Sequence, residues 1–148
     1  MSLCTVPIEH LSFIWPQARP YVVKALERDG RGCYLPEDVL KALMDATCRL
    51  WISWNDGKDR VEAVVVTETI RYPRRLALRL WLIGGENMKA WGRPMRDLLE
   101  EYAQHEGCDA IEGGMRKGWL RIGGEGWRET GITFEKRLER RSAERIAA

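Results

Sequence analysis

Four cysteines and two histidines supply the thiols and imidazoles of this 148-residue chain, the side chains that most often bind structural zinc. The cysteines are Cys4, Cys33, Cys48 and Cys108, and the histidines are His10 and His105. A structural zinc site requires closely spaced pairs of such ligands, and no two of the cysteines form a short pair. We therefore predict no metal site, and we interpret the cysteines as reduced, mostly buried thiols.

A run of cations and aromatic rings follows Gly113, in a pattern typical of grooves that bind single-stranded nucleic acid. Its members are Lys117, Trp119, Arg121, Trp127 and Arg128. Three glutamates between residues 112 and 129 would repel a phosphate backbone. The glycine pairs Gly113-Gly114 and Gly123-Gly124 lack the Gly-Lys-Ser/Thr ending of a phosphate-binding P-loop. The pattern therefore favours a solvated glycine-rich loop over a nucleic-acid site.

Seven tryptophans are many for a chain of this length. Four of them lie in or beside predicted helices and strands, and we interpret them as packing residues: Trp15, Trp51, Trp54 and Trp81. The other three, Trp91, Trp119 and Trp127, fall in predicted glycine-rich loops. For these three, packing and the lining of a ligand pocket or protein interface both remain open.

The composition is that of a globular domain, with 45% hydrophobic and 31% charged residues. Lys and Arg number 24 against 22 Asp and Glu, so the net charge of +2 gives no bulk attraction for nucleic acid. No apolar run approaches the roughly 20 residues of a membrane span, and the first residues lack a secretory pattern. We expect a cytoplasmic protein with no membrane contact.

Hydrophobic periodicity predicts an edge strand, two helices and a three-stranded meander in the first half. The segments are the strand Cys4–Ile8, the helix Pro16–Gly30, a helix from Pro36 through Met44, and the strands Arg49–Trp54, Arg60–Ile70 and Leu76–Ile83. The turn Asn55-Asp56-Gly57-Lys58 is a strong hairpin signal, because glycine tolerates the positive φ that such turns require.

The second half is predicted to alternate helix and strand. A helix begins between Asn87 and Pro94 and ends at Gly107, and the strand Cys108–Glu112 after it is parallel to an earlier neighbour. A short helix over Trp119–Ile122 precedes a last alternating strand, Thr130–Leu138, with apolar residues Ile132, Phe134 and Leu138. We assign residues 1–138 to one domain and residues 139–148 to a charged tail.

This order of elements resembles that of the GNAT (Gcn5-related N-acetyltransferase) superfamily over nearly the whole chain. The ending Gly126-Trp127-Arg128-Glu129-Thr130-Gly131, followed by Phe134-Glu135-Lys136, is similar to the family's C-terminal pattern. The resemblance implies an α/β fold with a mixed, mostly antiparallel central sheet flanked by helices. The glycine-rich third quarter is also similar to that of small GNAT-like proteins from phages and prophages.

The resemblance implies that acetyl-coenzyme A (acetyl-CoA) binds where the fourth and fifth strands part. Its pyrophosphate would rest on the amino end of the following helix, where free N–H groups attract anions. The matching positions here are Leu80–Ile83 and Gly84–Arg93. The implied cofactor-binding residues are Leu82, Ile83, Gly84, Gly85, Lys89, Gly92 and Arg93.

The resemblance indicates a candidate catalytic base but no catalytic acid. Glu68, late in the second meander strand, is the candidate base that would deprotonate the amine. The family's phosphate motif, Gln/Arg-x-x-Gly-x-Gly/Ala, does not follow Ile83, and no tyrosine follows Gly107 to serve as an acid. Glu86 would also place a negative charge beside the phosphate, and Trp91 would add bulk there.

Two functions are therefore predicted. The first is an N-acetyltransferase that transfers acetyl from acetyl-CoA to a small-molecule or protein amine. The alternative is a non-catalytic GNAT-like accessory protein of phage or prophage type that binds another protein.

Overall fold

A computed structural model describes residues 1–140, and its framework is one five-stranded sheet. The strands lie across the sheet in chain order: β1 (Ser2–Thr5), β2 (Arg49–Asn55), β3 (Arg60–Tyr72), β4 (Arg75–Gly85) and β5 (Ala110–Glu112). Neighbouring strands are antiparallel from β1 to β4, whereas β5 is parallel to β4. The predicted α/β class, the meander and the parallel fifth strand are confirmed. The predicted edge strand is present but ends at Thr5 instead of Ile8, because Ile8 begins a 3₁₀ turn that follows Pro7.

Helices cover both faces of the sheet. They are α1 (Leu11–Asp29), α2 (Pro36–Met44), α3 (Met88–His105) and α4 (Leu120–Gly123), with 3₁₀ turns at Ile8–His10 and Lys117–Trp119. Residues of α1 and α2 form one hydrophobic cluster with one face of the sheet, and residues of α3 form a second cluster with the other. Because both faces are covered, β3 can place Val64, Val65 and Val66 in sequence with all three buried. Within residues 1–140, no helix has the length and apolar character that a membrane span requires.

The start of α1 is the first difference from the prediction, which placed it at Pro16. The helix begins at Leu11 and includes both Pro16 and Pro20. An internal proline costs about 3 kcal/mol through the lost hydrogen bond and ring clash. The face that begins with Leu11 and Ile14 is buried, and burying each such side chain returns about 1.5–3 kcal/mol. Burial of the full apolar face therefore extends the helix through its prolines.

Helix α3 likewise includes Pro94, and it also includes Trp91, which the sequence analysis placed in a loop. Trp91 is only 2% exposed and packs between α3 and the sheet. Met95, Leu99 and Ala103 follow it at four-residue spacing and are also buried. This stripe faces the sheet, so the apolar period outweighs the glycines that suggested a loop.

The predicted last strand, Thr130–Leu138, is wrong. The structure gives these residues no strand, and Ile132, Phe134 and Leu138 are 70%, 88% and 82% exposed. Local alternation can form a strand only where a neighbouring edge accepts the backbone hydrogen bonds. Instead, the segment is held by side chains: Arg137 Nη2 donates to the carbonyl oxygen of Arg31 at 3.2 Å. The tail prediction beyond residue 140 lies outside the described residues.

The expectation that the cysteines are mostly buried is also wrong. Cys4 and Cys33 are exposed, and Cys48 and Cys108 are partly exposed. Cys4 lies on the edge strand β1, and Cys33 lies in the loop between α1 and α2, so neither is in a position that the core covers.

Candidate active site

Strands β4 and β5 part after a short ladder. Their pairing covers only Ala77–Ala110, Leu78–Ile111 and Arg79–Glu112, whereas β4 continues to Gly85. Gly113 continues past Leu80 at close range: a Cβ added to this glycine would lie 3.1 Å from the Leu80 carbonyl oxygen. Gly113 thus still lies against Leu80, and beyond Leu80 no described strand pairs with this edge of β4.

A β-bulge lies at the same point on the other edge of β4. Val66 of β3 pairs with Leu82, and Thr67 pairs with Leu80, so Trp81 has no partner in the ladder. As a result Trp81 and Leu82 both pack on the α1 side of the sheet, and Leu80 packs on the α3 side. Bulges of this kind redirect side chains beside functional sites. Here the bulge divides the residues of β4 between two pockets.

The first pocket, the α3 slot, lies between α3, β4 and the segment 115–127. It is a narrow space of about 60 Å³ whose walls are almost entirely apolar. The lining residues that matter below are Leu80, Ile83, Trp91, Met95, Trp119 and Trp127. The three tryptophans left open by the sequence therefore line one slot, and the rings of Trp91 and Trp119 are 6.3 Å apart.

Two hydrogen bonds hold the outer wall of the α3 slot. Arg96 Nη1, on α3, donates to the carbonyl oxygen of Ile122 at 3.0 Å. Trp127 Nε1 donates to the carbonyl oxygen of Gly123 at 3.0 Å. Both bonds satisfy carbonyls near the end of α4, where a helix leaves such groups without internal partners. The Arg96 bond fixes α4 against α3 at the mouth of the slot, and the Trp127 bond fixes the chain after α4 against the end of that helix.

The predicted cofactor residues at the end of β4 differ in their surroundings. Ile83 lines the α3 slot, but the Leu82 side chain is fully buried on the opposite face. A Cβ on Gly84 would lie 2.8 Å from the carbonyl oxygen of Tyr21, so this glycine permits close contact with α1. Gly85 has φ +153°, and a Cβ there would lie 2.5 Å from the Cβ of Ala63. Both glycines are therefore required by packing.

The predicted residues on α3 fall into two groups. Gly92 is buried in the wall of the slot, where an added Cβ would lie 3.0 Å from Ile122. Lys89 and Arg93 are exposed on the first two turns of the helix. No side chain caps the amino end of α3, and its first turn holds no acidic residue. The exposed cations and the helix end thus present positive potential to solvent.

Glu86 and Trp91, which the sequence analysis expected to disfavour a phosphate at this helix end, both make other contacts. The Glu86 carboxylate lies 3.4 Å from Arg60 and is paired with it. Trp91 is buried, and its Nε1 donates to the carbonyl oxygen of Glu86 at 2.7 Å. This bond connects the loop before α3 to the helix. The buried Trp91 ring therefore supports the loop from the core side and does not occupy the surface at the amino end of α3.

The second pocket, the α1 cavity, lies on the opposite face of the sheet and has a volume of about 420 Å³. Its walls come from the end of α1, the α1–α2 loop, β4, Gly114 and Thr133. Leu80 lines both this cavity and the α3 slot, so one residue at the end of the β4–β5 ladder separates the two pockets.

Charged and aromatic groups line the α1 cavity. Asp29 ends α1, Tyr34 follows in the loop, and Arg79 and Trp81 come from β4. The rings of Tyr34 and Trp81 meet edge to face with centroids 4.9 Å apart. The sequence analysis assigned none of these a site role. An acidic residue at the negative end of a helix, as at Asp29, is the signal that could have indicated one.

Glu68, the predicted base, lies beside the cavity instead of in its wall. Its Oε1 is 3.0 Å from Arg79 Nη1, and Arg79 lines the cavity. Its Oε2 is 4.0 Å from the Cys48 Sγ, in a neighbouring groove. Burial, followed by the negative charge of Glu68, raises the pKa of the Cys48 thiol to about 11. Cys48 is therefore a neutral thiol at neutral pH.

Cys108, the side chain that could act as a general acid, lies outside both pockets. Cys108 borders a separate groove on the outer side of β5 and lines neither the α3 slot nor the α1 cavity. Burial and the nearby carboxylates of Glu106 and Asp109 raise the pKa of this thiol.

Among residues 1–140, no group of three His, Cys, Asp or Glu side chains is arranged to hold a metal ion.

Comparison with known proteins places this geometry in a fold class. No protein-family model matches the chain, and no curated protein matches it in sequence. A probable acetyltransferase matches in structure with a TM-score of 0.69, over 95% of this chain and 100% of its own, at 13% identity. The aminoglycoside acetyltransferase meta-AAC0020 from an uncultured soil metagenomic sample, in complex with sisomicin, gives 0.69 over 93% and 96%, at 11% identity. A predicted acetyltransferase from Clostridium acetobutylicum, with acetyl-CoA, gives 0.64 over 93% and 96%, at 15% identity.

The chain therefore has the fold of the GNAT acetyltransferases. The fold-level resemblance inferred from the order of elements is confirmed.

Proposed function

We propose that the protein is an N-acetyltransferase that transfers an acetyl group from acetyl-CoA to a primary amine. The observation that carries the proposal is the parting of β4 and β5 at the bulge. An apolar slot on one face of the sheet and a polar cavity on the other are both lined there by Leu80. Donor and acceptor can thus approach the same point from opposite sides, as a direct transfer requires.

The residues around the α3 slot fit the parts of acetyl-CoA. The apolar walls formed by Leu80, Ile83 and Trp119 suit the pantetheine arm, and the unpaired edge of β4 offers backbone groups to its amides. Lys89 and Arg93, with the uncapped amino end of α3, suit the pyrophosphate. When bound there, acetyl-CoA supplies a thioester whose acetyl group passes to the amine nitrogen as the C–S bond breaks.

The chain must also remove a proton from the attacking amine. Glu68 is the proposed base, and its Oε2 is the oxygen that Arg79 does not engage. Because Glu68 does not line the α1 cavity, the proton would reach it through a water molecule. Arg79 holds the other oxygen in place from the cavity side.

Isothermal titration with acetyl-CoA tests the donor half of the proposal. We expect saturable heat for the native protein, and at least tenfold weaker binding for the double variant Lys89→Ala/Arg93→Ala, because two phosphate contacts are lost. The matched control is Lys24→Ala/Arg28→Ala on the exposed side of α1, which removes the same charge far from the slot. Absence of heat at millimolar acetyl-CoA, or equal weakening by both double variants, would contradict the assignment.

One observation favours the alternative, a non-catalytic accessory protein of phage or prophage type that binds another protein. The α3 slot measures only about 60 Å³, so the segment 115–127 must move outward before a pantetheine arm can enter. If the Arg96 and Trp127 hydrogen bonds kept that segment closed, the fold would remain without the cofactor. Titration of the native protein separates the two functions directly.

A further inference from the structure

The edge of β3 is open beyond the start of β2. The ladder between these two strands ends at the pair Arg49–Thr67, whereas β3 continues to Tyr72. The chain before Arg49 comes from α2 through a turn at Ala46, whose φ of 60° is uncommon for a residue other than glycine. The part of β3 from 68 to 72 therefore pairs with β4 alone among the described strands.

Two residues of this open edge present backbone groups that another strand could bind. The carbonyl oxygen of Glu62 accepts from the backbone N–H of Glu86 at 2.8 Å, beside the end of β4, so the even-numbered residues of β3 direct their N–H and C=O toward β4. Because successive residues of a strand direct these groups to opposite edges, Thr69 and Arg71 direct theirs to the open edge. Both residues are exposed. Such an edge is the structure to which an extended peptide adds as a strand.

A groove of about 620 Å³, here called the β2 groove, lies along this edge. Thr69 lines one side of it, and Pro7 and Ile8 line the other. The backbone N–H of Val6 donates to the carbonyl oxygen of Leu50 at 2.9 Å, so the chain after β1 stays beside β2 up to the first residues of that strand. Neighbouring strands lie about 4.8 Å apart, and the gap left between the two neighbours of β2 therefore accommodates one strand.

Arg49 supplies a cation at the end of the β2 groove where β2 begins. Its guanidinium lies 5.1 Å from the centroid of the Tyr102 ring, and its Nη1 donates to Thr5 Oγ1 at 3.4 Å. Among the described residues, the other charged side chain that lines the groove is Glu68, which is paired with Arg79 at 3.0 Å. Within residues 1–140, Arg49 has no carboxylate partner. An oriented guanidinium without a counter-ion suits an incoming carboxylate.

From these features we infer that the β2 groove binds the C-terminal end of another polypeptide as an added strand. Thr47 and Cys48 close the groove where β2 begins, so an added strand must end there and cannot be an internal segment. A strand antiparallel to β3 runs in the direction of β2, which brings its terminal carboxylate to the end that Arg49 lines. The opposite direction would bring an ammonium group to this cation. The inference goes beyond the proposed function and holds whether or not the protein transfers acetyl groups.

A fluorescein-labelled peptide tests the inference by fluorescence anisotropy. The probe consists of three Thr-Val repeats, which favour an extended conformation, with the label on its amino end and a free C-terminal carboxylate. We expect saturable binding, and at least tenfold weaker binding of the same peptide with a C-terminal amide, because charge-assisted hydrogen bonds to Arg49 are lost. Equal affinities of the two peptides, or no binding of either at millimolar protein, would overturn the inference.

Two pairs of variants separate the carboxylate contact from the strand pairing. Arg49→Gln should reduce the preference for the carboxylate peptide to less than twofold, whereas Arg28→Gln, at an exposed position of α1 outside the groove, should keep it. Thr69→Pro removes the N–H that an added strand would bind and should abolish binding, whereas Thr69→Ala keeps that N–H and should bind like the native protein. Proline is tolerated on the open side of an edge strand, and urea denaturation checks that the variant folds.

Amide exchange on the native protein tests the strand pairing without any substitution. Under saturating carboxylate peptide and without acetyl-CoA, the backbone N–H groups of Thr69 and Arg71 should gain protection. Peptide binding that leaves both amides unprotected would overturn the added strand, whatever the variants show. Because acetyl-CoA is absent from every measurement, failure of the proposed enzyme function and failure of this groove are observed separately.

Discussion

The two pockets that Leu80 separates are built in different ways. The α3 slot is apolar and narrow, and its walls are regular elements joined by hydrogen bonds from Arg96 and Trp127 to main-chain carbonyls. The α1 cavity is polar and wide, and its walls are a helix end, a loop and the segment around Thr133. Ion pairs between exposed side chains hold those walls.

This difference suits the roles proposed for the two pockets, the donor in the α3 slot and the acceptor in the α1 cavity. Side chains on packed helices and strands are fixed by the core, so the slot can change little without loss of stability. Loops and exposed ion pairs contribute little to stability and can change freely. The α3 slot is therefore the rigid kind of construction, and the α1 cavity is the adaptable kind.

Replacing Trp91, in the wall of the α3 slot, with alanine should give the largest effect. The ring is 2% exposed, and its Nε1 bonds the Glu86 carbonyl, so the variant loses burial and leaves a cavity. We expect the free energy of unfolding to fall by about 3–5 kcal/mol in urea denaturation. The comparison is Tyr34→Ala in the half-exposed wall of the α1 cavity, which should cost less than half as much. Equal losses would contradict the contrast between the two pockets.

Replacing Gly85 with alanine should have the next largest effect. Its φ of +153° is unfavourable for an L side chain, and the new Cβ would meet Ala63 at 2.5 Å. We expect a loss of about 1–3 kcal/mol in the free energy of unfolding. Gly114→Ala, on the cavity side, is the control, because no atom lies within 4 Å of its added Cβ. A Gly114→Ala cost as large as that of Gly85→Ala would show that the end of β4 is not tightly packed.

The variant Arg96→Ala should open the α3 slot at moderate cost. The lost hydrogen bond to Ile122 is worth about 0.5–1.5 kcal/mol, and amide exchange should accelerate over residues 120–124. Arg121→Ala removes the same charge from the exposed side of α4 and should leave exchange unchanged. Unchanged exchange in Arg96→Ala would mean that this bond does not hold the wall.

The smallest predicted effect concerns the groove beside the α1 cavity. Burial and the Glu68 anion both raise the pKa of the Cys48 thiol, to about 11. In Glu68→Gln the anion is removed, so the pKa should fall while remaining above its ordinary value, because burial is the larger cause. The Cys48 peptide should then be alkylated faster at pH 9.5, as measured by mass spectrometry. Alkylation at the native rate would show that the Glu68 charge does not raise the pKa of the Cys48 thiol.

Much of the framework could be predicted because it depends on local signals. The turn Asn55–Lys58 and the valines of β3 define the meander, and Pro36 marks the start of α2. The parallel direction of β5 follows from the helix that connects it to β4. Thr130–Leu138 also alternates locally but forms no strand, since a strand needs a partner edge that its own residues do not specify.

The site could be predicted only where it belongs to the framework. The short ladder between β4 and β5 follows from the order of elements, and it ends at Arg79–Glu112, before the segment Leu80–Ile83 in which the cofactor was expected. Asp29 and Tyr34 could not be foreseen, because a loop after α1 brings them to β4 through tertiary packing. Trp91 was misplaced because the glycines around it suggested a loop, whereas its burial fixes it in a helix.

Amide hydrogen exchange with and without acetyl-CoA tests the central claim most directly, because it maps where the coenzyme contacts the backbone. We expect added protection in two places, residues 80–83 along the unpaired edge of β4 and residues 88–93 at the amino end of α3. Protection confined to other parts of the chain, with these two segments unchanged under saturating coenzyme, would contradict the claim that the parting of β4 and β5 receives the acetyl donor.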